Sequence, residues 1–194
     1  MQEKIKYFFT TKIIAKKVIY YKKIESTQKE ARNLAEQNVE NGTIVITDYQ
    51  TNGIGTHERK WYSEKNKNLS FTLILYPKCD LKVLEGFTYD IAKCMSKVIE
   101  ILYGYKLDIK LPNDIMCNGK KIGGILTQTI TNSGKVKYLL IGIGLNVNGE
   151  NFKGEIKDVA TSLKKEFRKE FNKEEILCEF CDVFEKYCEN KKII

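Results

Sequence analysis

Asn118-Gly119 is the dipeptide in this chain that most restricts its fold. A two-residue hairpin loop needs positive φ at both central positions, and Asn-Gly is the pair that supplies it most readily. It sits inside the run DIMCNGKKIGGIL (residues 114–126), which therefore reads as two antiparallel strands. With that loop, Cys117 pairs with Lys120, Met116 with Lys121 and Asp114 with Gly123. Strand alternation then places Asp114, Met116, Lys121 and Gly123 on one face of a sheet. A carboxylate and an ammonium would share that face, beside a residue with no side chain to obstruct a ligand. The plainer reading of Lys121 is an ordinary lysine at a strand edge; Lys120 faces the other way, to solvent.

Further strands are expected over residues 17–24 (KVIYYKKI), 43–47 (TIVIT), 69–76 (LSFTLILY), 107–110 and 138–147 (YLLIGIGLNV), from β-branched and apolar runs. In the last of these Gly142 and Gly144 fall on one face, followed there by Asn146. Glycine weakens a strand unless something approaches its backbone closely, and a ligand or a packed helix would both qualify. Helical periodicity follows Glu25-Ser26-Thr27-Gln28, with Ala31, Leu34 and Ala35 on one side. Thr27 and Glu30 have the spacing of a capping box, an alternative to a ligand-binding role for Ser26 and Thr27; a helix start also suits an anion. A long helix is expected over 81–103, capped by Asp80, with Leu84, Phe87, Ile91, Met95, Val98 and Leu102 as its core stripe. A short helix is expected near 159–163 and a longer one over 173–191.

Between the second and third strands lies DYQTNGIGTHERKW (residues 48–61), which ends on the only tryptophan. Gly53 and Gly55 permit sharp bends or close approach, His57, Arg59 and Lys60 can face an anion, and Trp61 offers a flat apolar wall. A GxG followed by basic residues alone does not separate a phosphate loop from a tight turn.

At 194 residues with 42% hydrophobic and 30% charged side chains, the chain is expected to form one soluble domain over 1–194. No apolar run reaches the roughly 18 to 20 residues that span a bilayer, and Lys12, Lys16 and Lys17 interrupt any signal-peptide core. The formal charge of +8 is compatible with a solvating lysine surface or with an acidic partner, but no nucleic-acid-binding motif accompanies it. Six cysteines are spread unevenly, and Cys178-x-x-Cys181 is the only close pair. Cys181 and Cys188 share a helical arc with Leu177, Phe180, Phe184 and Tyr187. They are expected to be buried thiols of a reduced, cytoplasmic protein and not zinc ligands, since the chain has one histidine.

The ordered set EST, YQTNGIGTHERKW, KLPNDI…GKKIGGIL and IGIGLNVN resembles the catalytic domain of biotin protein ligases, over roughly residues 17–190. The resemblance implies an α+β fold: a mixed, mainly antiparallel sheet packed by helices, like class II aminoacyl-tRNA synthetases. It implies that biotin and MgATP form biotinyl-5′-AMP, and that biotin then passes to a lysine of a biotin carboxyl carrier protein. By the same resemblance, Ser26, Thr27 and Gln28 would bind the ureido ring. Gln50, Thr51, Gly53, Gly55, Thr56, His57, Arg59 and Trp61 would form the loop over biotin and the adenylate. Lys121 would bond the carboxylate and then the phosphoryl oxygen, with Arg59 as the second catalytic cation. Asn113, Asp114 and Asn146 would lie near the nucleotide, and Gly124, Gly142 and Gly144 around the pocket.

The chemistry accounts for such residues, because a carboxylate attacking a phosphate brings two anions together and cations must stabilise the result. Departures from the family pattern stand at Ile54, Thr56 and Glu58, where Arg, Arg and Gly are common, and at Leu111, where Trp is. A weaker hold on the adenylate is expected from the three loop changes, at Ile54, Thr56 and Glu58. The chain is expected to carry neither an N-terminal DNA-binding domain nor a C-terminal β-barrel, to act as a monomer or homodimer, and to bind no DNA. Two rivals remain: a lipoate or octanoate ligase or transferase of the same fold, and a biotin-binding protein without catalysis.

Overall fold

The computed structural model describes residues 9–194, so the reading of residues 1–8 and the side chain of Glu58 lie outside it. Strands β1 (Val18–Tyr21), β2 (Ile44–Thr47), β5 (Asn68–Leu75), β6 (Asp108–Lys110), β7 (Asp114–Cys117), β8 (Lys120–Asn132) and β9 (Lys135–Asn146) form one sheet. Its order is β1-β2-β5-β9-β8-β7-β6. Only β1 and β2 are parallel; every other neighbouring pair is antiparallel. A separate two-stranded ribbon, β3 (Gly53–Ile54) with β4 (Lys60–Trp61), rises from the loop after β2.

Every residue of β5 is buried, because the strand is central and both faces are covered. Leu69, Phe71, Leu73 and Leu75 point to the main core, where helices α2 (Phe87–Tyr103) and α4 (Lys173–Asn190) pack. The Phe180 ring meets Phe71 edge-on at 5.6 Å and stacks on Phe184 at 5.3 Å. On the opposite face Ile74 joins Ala31, Ala35, Val45, Tyr138 and Leu140 beneath helix α1 (Thr27–Glu36). The α1 helix covers only part of that face, and the β3–β4 ribbon stands beside it.

Four expectations are corrected. The hairpin turns at Asn118 and Gly119, with φ of 49° and 76°. Cys117 pairs with Lys120 and Met116 with Lys121, but a bulge between Ile115 and Met116 then aligns Ile115 with Gly123 and Asp114 with Gly124. Ile122 is the extra residue, driven into the core by its fully buried side chain. It is therefore Gly124, and not Gly123, that shares the Lys121 face: a Cβ on Gly124 would lie 3.5 Å from Lys121 Nζ, whereas one on Gly123 would meet Leu145 and Ile115.

The expected helix over 81–103 is two pieces. Gly86, at φ 72°, separates a 3-10 turn (Leu81–Leu84) from α2, and Asp80 makes no side-chain capping bond. The expected helix near 159–163 is instead an extended segment whose Ala160 bridges to Lys121, and helix α3 (Leu163–Phe167) starts from Ser162. The Thr27–Glu30 capping box does not form. Ser26 takes the N-cap position, Glu30 accepts from the Tyr21 hydroxyl at 2.7 Å, and Gln50 serves the first turn of α1. Among the described residues no helix is long and apolar enough to cross a membrane.

Candidate active site

The uncovered part of the α1 face forms a narrow cleft floored by β5, β8 and β9 and roofed by the ribbon. Its two ends differ in chemistry. At the α1 end the buried Thr27, Gln28, Gln50 and Thr72 form one hydrogen-bonded group. The Thr27 N–H and hydroxyl donate to Gln50 Oε1 at 2.8 and 3.1 Å. The Thr72 hydroxyl lies 3.0 Å from Thr27 Oγ1 and 3.1 Å from Gln28 Oε1. At the other end stands Lys121, its Nζ 2.5 Å from Asp114 Oδ1 and 5.6 Å from the centre of the Trp61 ring. Between them lie Leu126, the indole and the bare strand backbone at Gly142 and Gly144, while the side chains of Phe71, Ile125 and Ile143 belong to the main core beneath.

The glycines of β9 make room for this. A Cβ on Gly144 would come within 2.4 Å of Trp61 Cε2, and one on Gly142 within 2.5 Å of Gln28 Oε1. The roof depends on Gly53 in the same way, where a Cβ would press on Trp61 O at 2.7 Å and Gln50 Nε2 at 2.9 Å. Lys121 is held at both backbone atoms by the extended segment, its N–H donating to Val159 O at 2.8 Å and its carbonyl accepting from Thr161 N at 2.9 Å. The Ser26 and Ser70 hydroxyls and the Trp61 N–H are buried without a partner. Ser26 precedes Thr27, and Ser70 is opposite Gly144 in register. Such groups each forgo roughly 1–3 kcal/mol unless something bonds to them.

Of the residues singled out in the sequence, the structure brings Thr27, Gln28, Gln50, Gly55, Thr56, Trp61, Asn113, Lys121, Gly124, Gly142 and Gly144 to this cleft. Asp114 reaches it through its ion pair with Lys121. Asn113 Nδ2 donates to Ile125 O at 3.0 Å and so is tied to the middle of β8. Asn146 donates to Thr161 O at 2.9 Å and accepts from Asn68 Nδ2 at 2.7 Å. It borders an adjoining recess shared by Lys121, Trp61, Phe152 and Ala160. Thr51, Gly53 and Arg59 line the outer side of the ribbon instead, and His57 is exposed at a left-handed φ of 54°. His57 and Arg59 do not line the Lys121 cleft in this conformation.

Thr72 and Leu126 line the cleft as well and had not been singled out; Phe71, Ile125 and Ile143 border it from strands whose side chains there enter the main core. The one signal for Thr72 is that its hydroxyl, with that of Ser70, interrupts the apolar run from Leu69 to Leu75. Among the described residues no three or more His, Cys, Asp or Glu side chains cluster as a metal site.

The model of the Biotin/lipoate A/B protein ligase family matches residues 20–146. The chain belongs to this family. Among its relatives, this family member is 40% identical to the bifunctional ligase/repressor BirA of Bacillus spizizenii over 164 residues, 84% of this chain and 50% of that protein. The Biotin--[acetyl-CoA-carboxylase] ligase of Paracoccus denitrificans is 29% identical over 139 residues, 71% of this chain and 57% of that one. The structure of the biotin protein ligase from Aquifex aeolicus in complex with biotin and ATP matches with a TM-score of 0.77 at 31% identity, covering 91% of this chain and 72% of that one. The ligase-family chain spans about half the length of the Bacillus relatives. Its mainly antiparallel sheet with helices behind it is the class II synthetase-like fold of the biotin protein ligases.

Proposed function

We propose that this chain joins biotin to AMP, using MgATP, and passes the biotinyl group to a lysine of a biotin carboxyl carrier protein. The observation that carries the reading is the division of one cleft into a polar, uncharged end, an apolar middle and a single ammonium. Biotin has the matching sequence of parts: a ureido ring, an aliphatic body and a carboxylate. A lipoate-type ligand offers no ureido group to bond the Thr27, Gln28, Gln50 and Thr72 group. The unpartnered Ser26 hydroxyl at the same end supports the same choice.

In this reading the ureido ring sits on the amide and hydroxyl groups at the start of α1, and the body lies along the β8–β9 floor beside Trp61. The ligand carboxylate meets Lys121, where it displaces or joins Asp114. The lysine lowers the repulsion between that carboxylate and the α-phosphate, and gains strength because Trp61 excludes water. The nucleotide enters from the recess bordered by Asn146 and Phe152. ATP would arrive as its magnesium complex, in keeping with magnesium sites built largely from phosphates and one or two carboxylates; Asp114, paired with Lys121, is the carboxylate that would help to hold it. His57 and Arg59 act only if the ribbon closes further. We assign the protein to the cytoplasm, a reading supported by its six unpaired cysteines.

The test is mass spectrometry of a biotin carrier domain incubated with the protein, biotin and MgATP. One added biotinyl group is expected; an unmodified carrier would overturn the transfer. A second reading, a biotin binder without adenylation, is favoured by the outward position of His57 and Arg59. Release of pyrophosphate on mixing biotin with MgATP excludes it.

A further inference from the structure

The polar end of the cleft continues outward beyond Gln28. Gln28 Nε2 donates to Gln128 Oε1 at 3.2 Å, and the same oxygen accepts from Arg32 Nη2 at 3.4 Å. Gln28 is buried, Gln128 is half-buried on β8, and Arg32 is exposed one turn along α1. Gln28 and Gln128 are 100 residues apart in sequence, so nothing local imposes the contact.

These three side chains differ in what they can exchange. A guanidinium has donors only, whereas a primary amide has an oxygen that accepts and a nitrogen that donates, and can turn end for end. Arg32 therefore selects the rotamer of Gln128 that turns Oε1 towards it. That oxygen is the one Gln28 also meets, so Gln28 must present its NH₂ outward. The Gln28 carbonyl is thereby committed inward, where it lies over Gly142 and takes the Thr72 hydroxyl. An unconstrained glutamine at this place would present either end to the cleft.

We infer that Gln128, oriented by Arg32, is a positioning residue that fixes the direction of the Gln28 amide, so that its carbonyl oxygen is offered to an N–H of a ureido-type ligand. This rests on the biotin reading of the cleft, because a ureido group presents N–H donors that need acceptors. Neither Gln128 nor Arg32 is among the residues that line the cleft, so the pair acts through Gln28 alone.

The relay predicts an order of variants that packing does not. Gln128→Glu keeps an acceptor for both Arg32 and Gln28, so biotin affinity should stay within about twofold of the wild type. Gln128→Met fills a similar volume but frees the amide to turn, so Kd should rise about tenfold, the scale of one directed hydrogen bond. Arg32→Met should raise Kd about threefold and Arg32→Lys, still a pure donor, hardly at all. In every variant the maximal rate of biotin-dependent pyrophosphate release and the KM for ATP should be unchanged. Were the role only packing, Met would be tolerated and the charged Glu would not.

Isothermal titration of biotin into the wild type and the four variants, with thermal melting to verify folding, reads the order directly. Gln128→Met binding within twofold of the wild type, or Gln128→Glu losing as much as Gln128→Met, overturns the relay while leaving the biotin reading intact. A wild-type chain that gives no heat with biotin overturns the biotin reading and the relay with it.

Discussion

The backbone of Gly144 lies so close to the indole of Trp61 that a methyl group on it would stand 2.4 Å from Cε2. The β9 strand thus supplies a bare seat, and the ribbon lowers the only tryptophan of the chain onto it. Gly144→Ala should therefore lift the roof without disturbing the main core, which lies on the other face of the sheet. Biotin affinity is expected to fall at least tenfold, since overpacking of a fitted site costs about 1–3 kcal/mol. Intrinsic fluorescence checks it directly: the single indole should shift to the red in the variant before any ligand is added.

Among the described residues, Lys121 is the one ammonium that faces both the cleft and the adjoining recess. Its partner Asp114 is about a quarter exposed, so the pair contributes little to folding, on the order of 1 kcal/mol or less. Lys121→Met should leave thermal unfolding nearly unchanged while slowing biotin-dependent pyrophosphate release at least a hundredfold, the scale of losing one electrostatic stabiliser of a transition state. Asp114→Asn keeps the ammonium and should slow the same reaction far less. Equal losses in the two variants would mean that the ion pair, and not the free cation, is what the reaction uses.

Much of this arrangement was legible in the chain itself. Asn118-Gly119 fixed a turn because its φ requirements are local, and the two-residue period of YLLIGIGLNV put Gly142, Gly144 and Asn146 on one side of β9. What escaped depends on distant residues. The bulge at Ile115 exists because the side chain of Ile122 finds a core that other elements build, and it exchanges Gly123 for Gly124 at the cleft. The capping box at Thr27 was outcompeted by Gln50, which lies 23 residues further on. Gly86 made the long helix begin late: its left-handed φ of 72° is a conformation that apolar periodicity does not encode.

Glu185 offers a prediction about stability and not chemistry. Its buried carboxylate accepts the backbone N–H groups of Lys12, Ile13 and Ile14, at 2.5, 2.9 and 2.7 Å, and so ties the segment before β1 to α4. Truncation by Glu185→Ala strands three donors at once. Urea unfolding should show a loss of about 2–4 kcal/mol, given the cost of each unserved buried group. Glu185→Gln retains one acceptor oxygen and should lose less. The site on the other face of the sheet should bind biotin as before, at temperatures where the variant stays folded.

The buried thiols set how stability responds to alkali. Burial pushes Cys94 up to about 12 and Cys117 and Cys178 to about 11, and raises Cys181 and Cys188 further. Tyr138 is also raised to about 12, by burial and then by its bond to Glu36. A group raised in the folded state stays protonated there while its unfolded counterpart ionises. Its contribution is therefore complete below the unfolded thiol pKa of about 8.5 and declines as pH rises towards the folded value. The urea midpoint, measured with reductant present, should hold steady from pH 7 to 8 and fall progressively between pH 9 and 11. Replacing Cys181 with Ala removes one such thiol. The variant should start less stable, from the space left in the core, yet lose stability less steeply over the same interval; a slope equal to that of the wild type would mean that the thiol is not the group that responds.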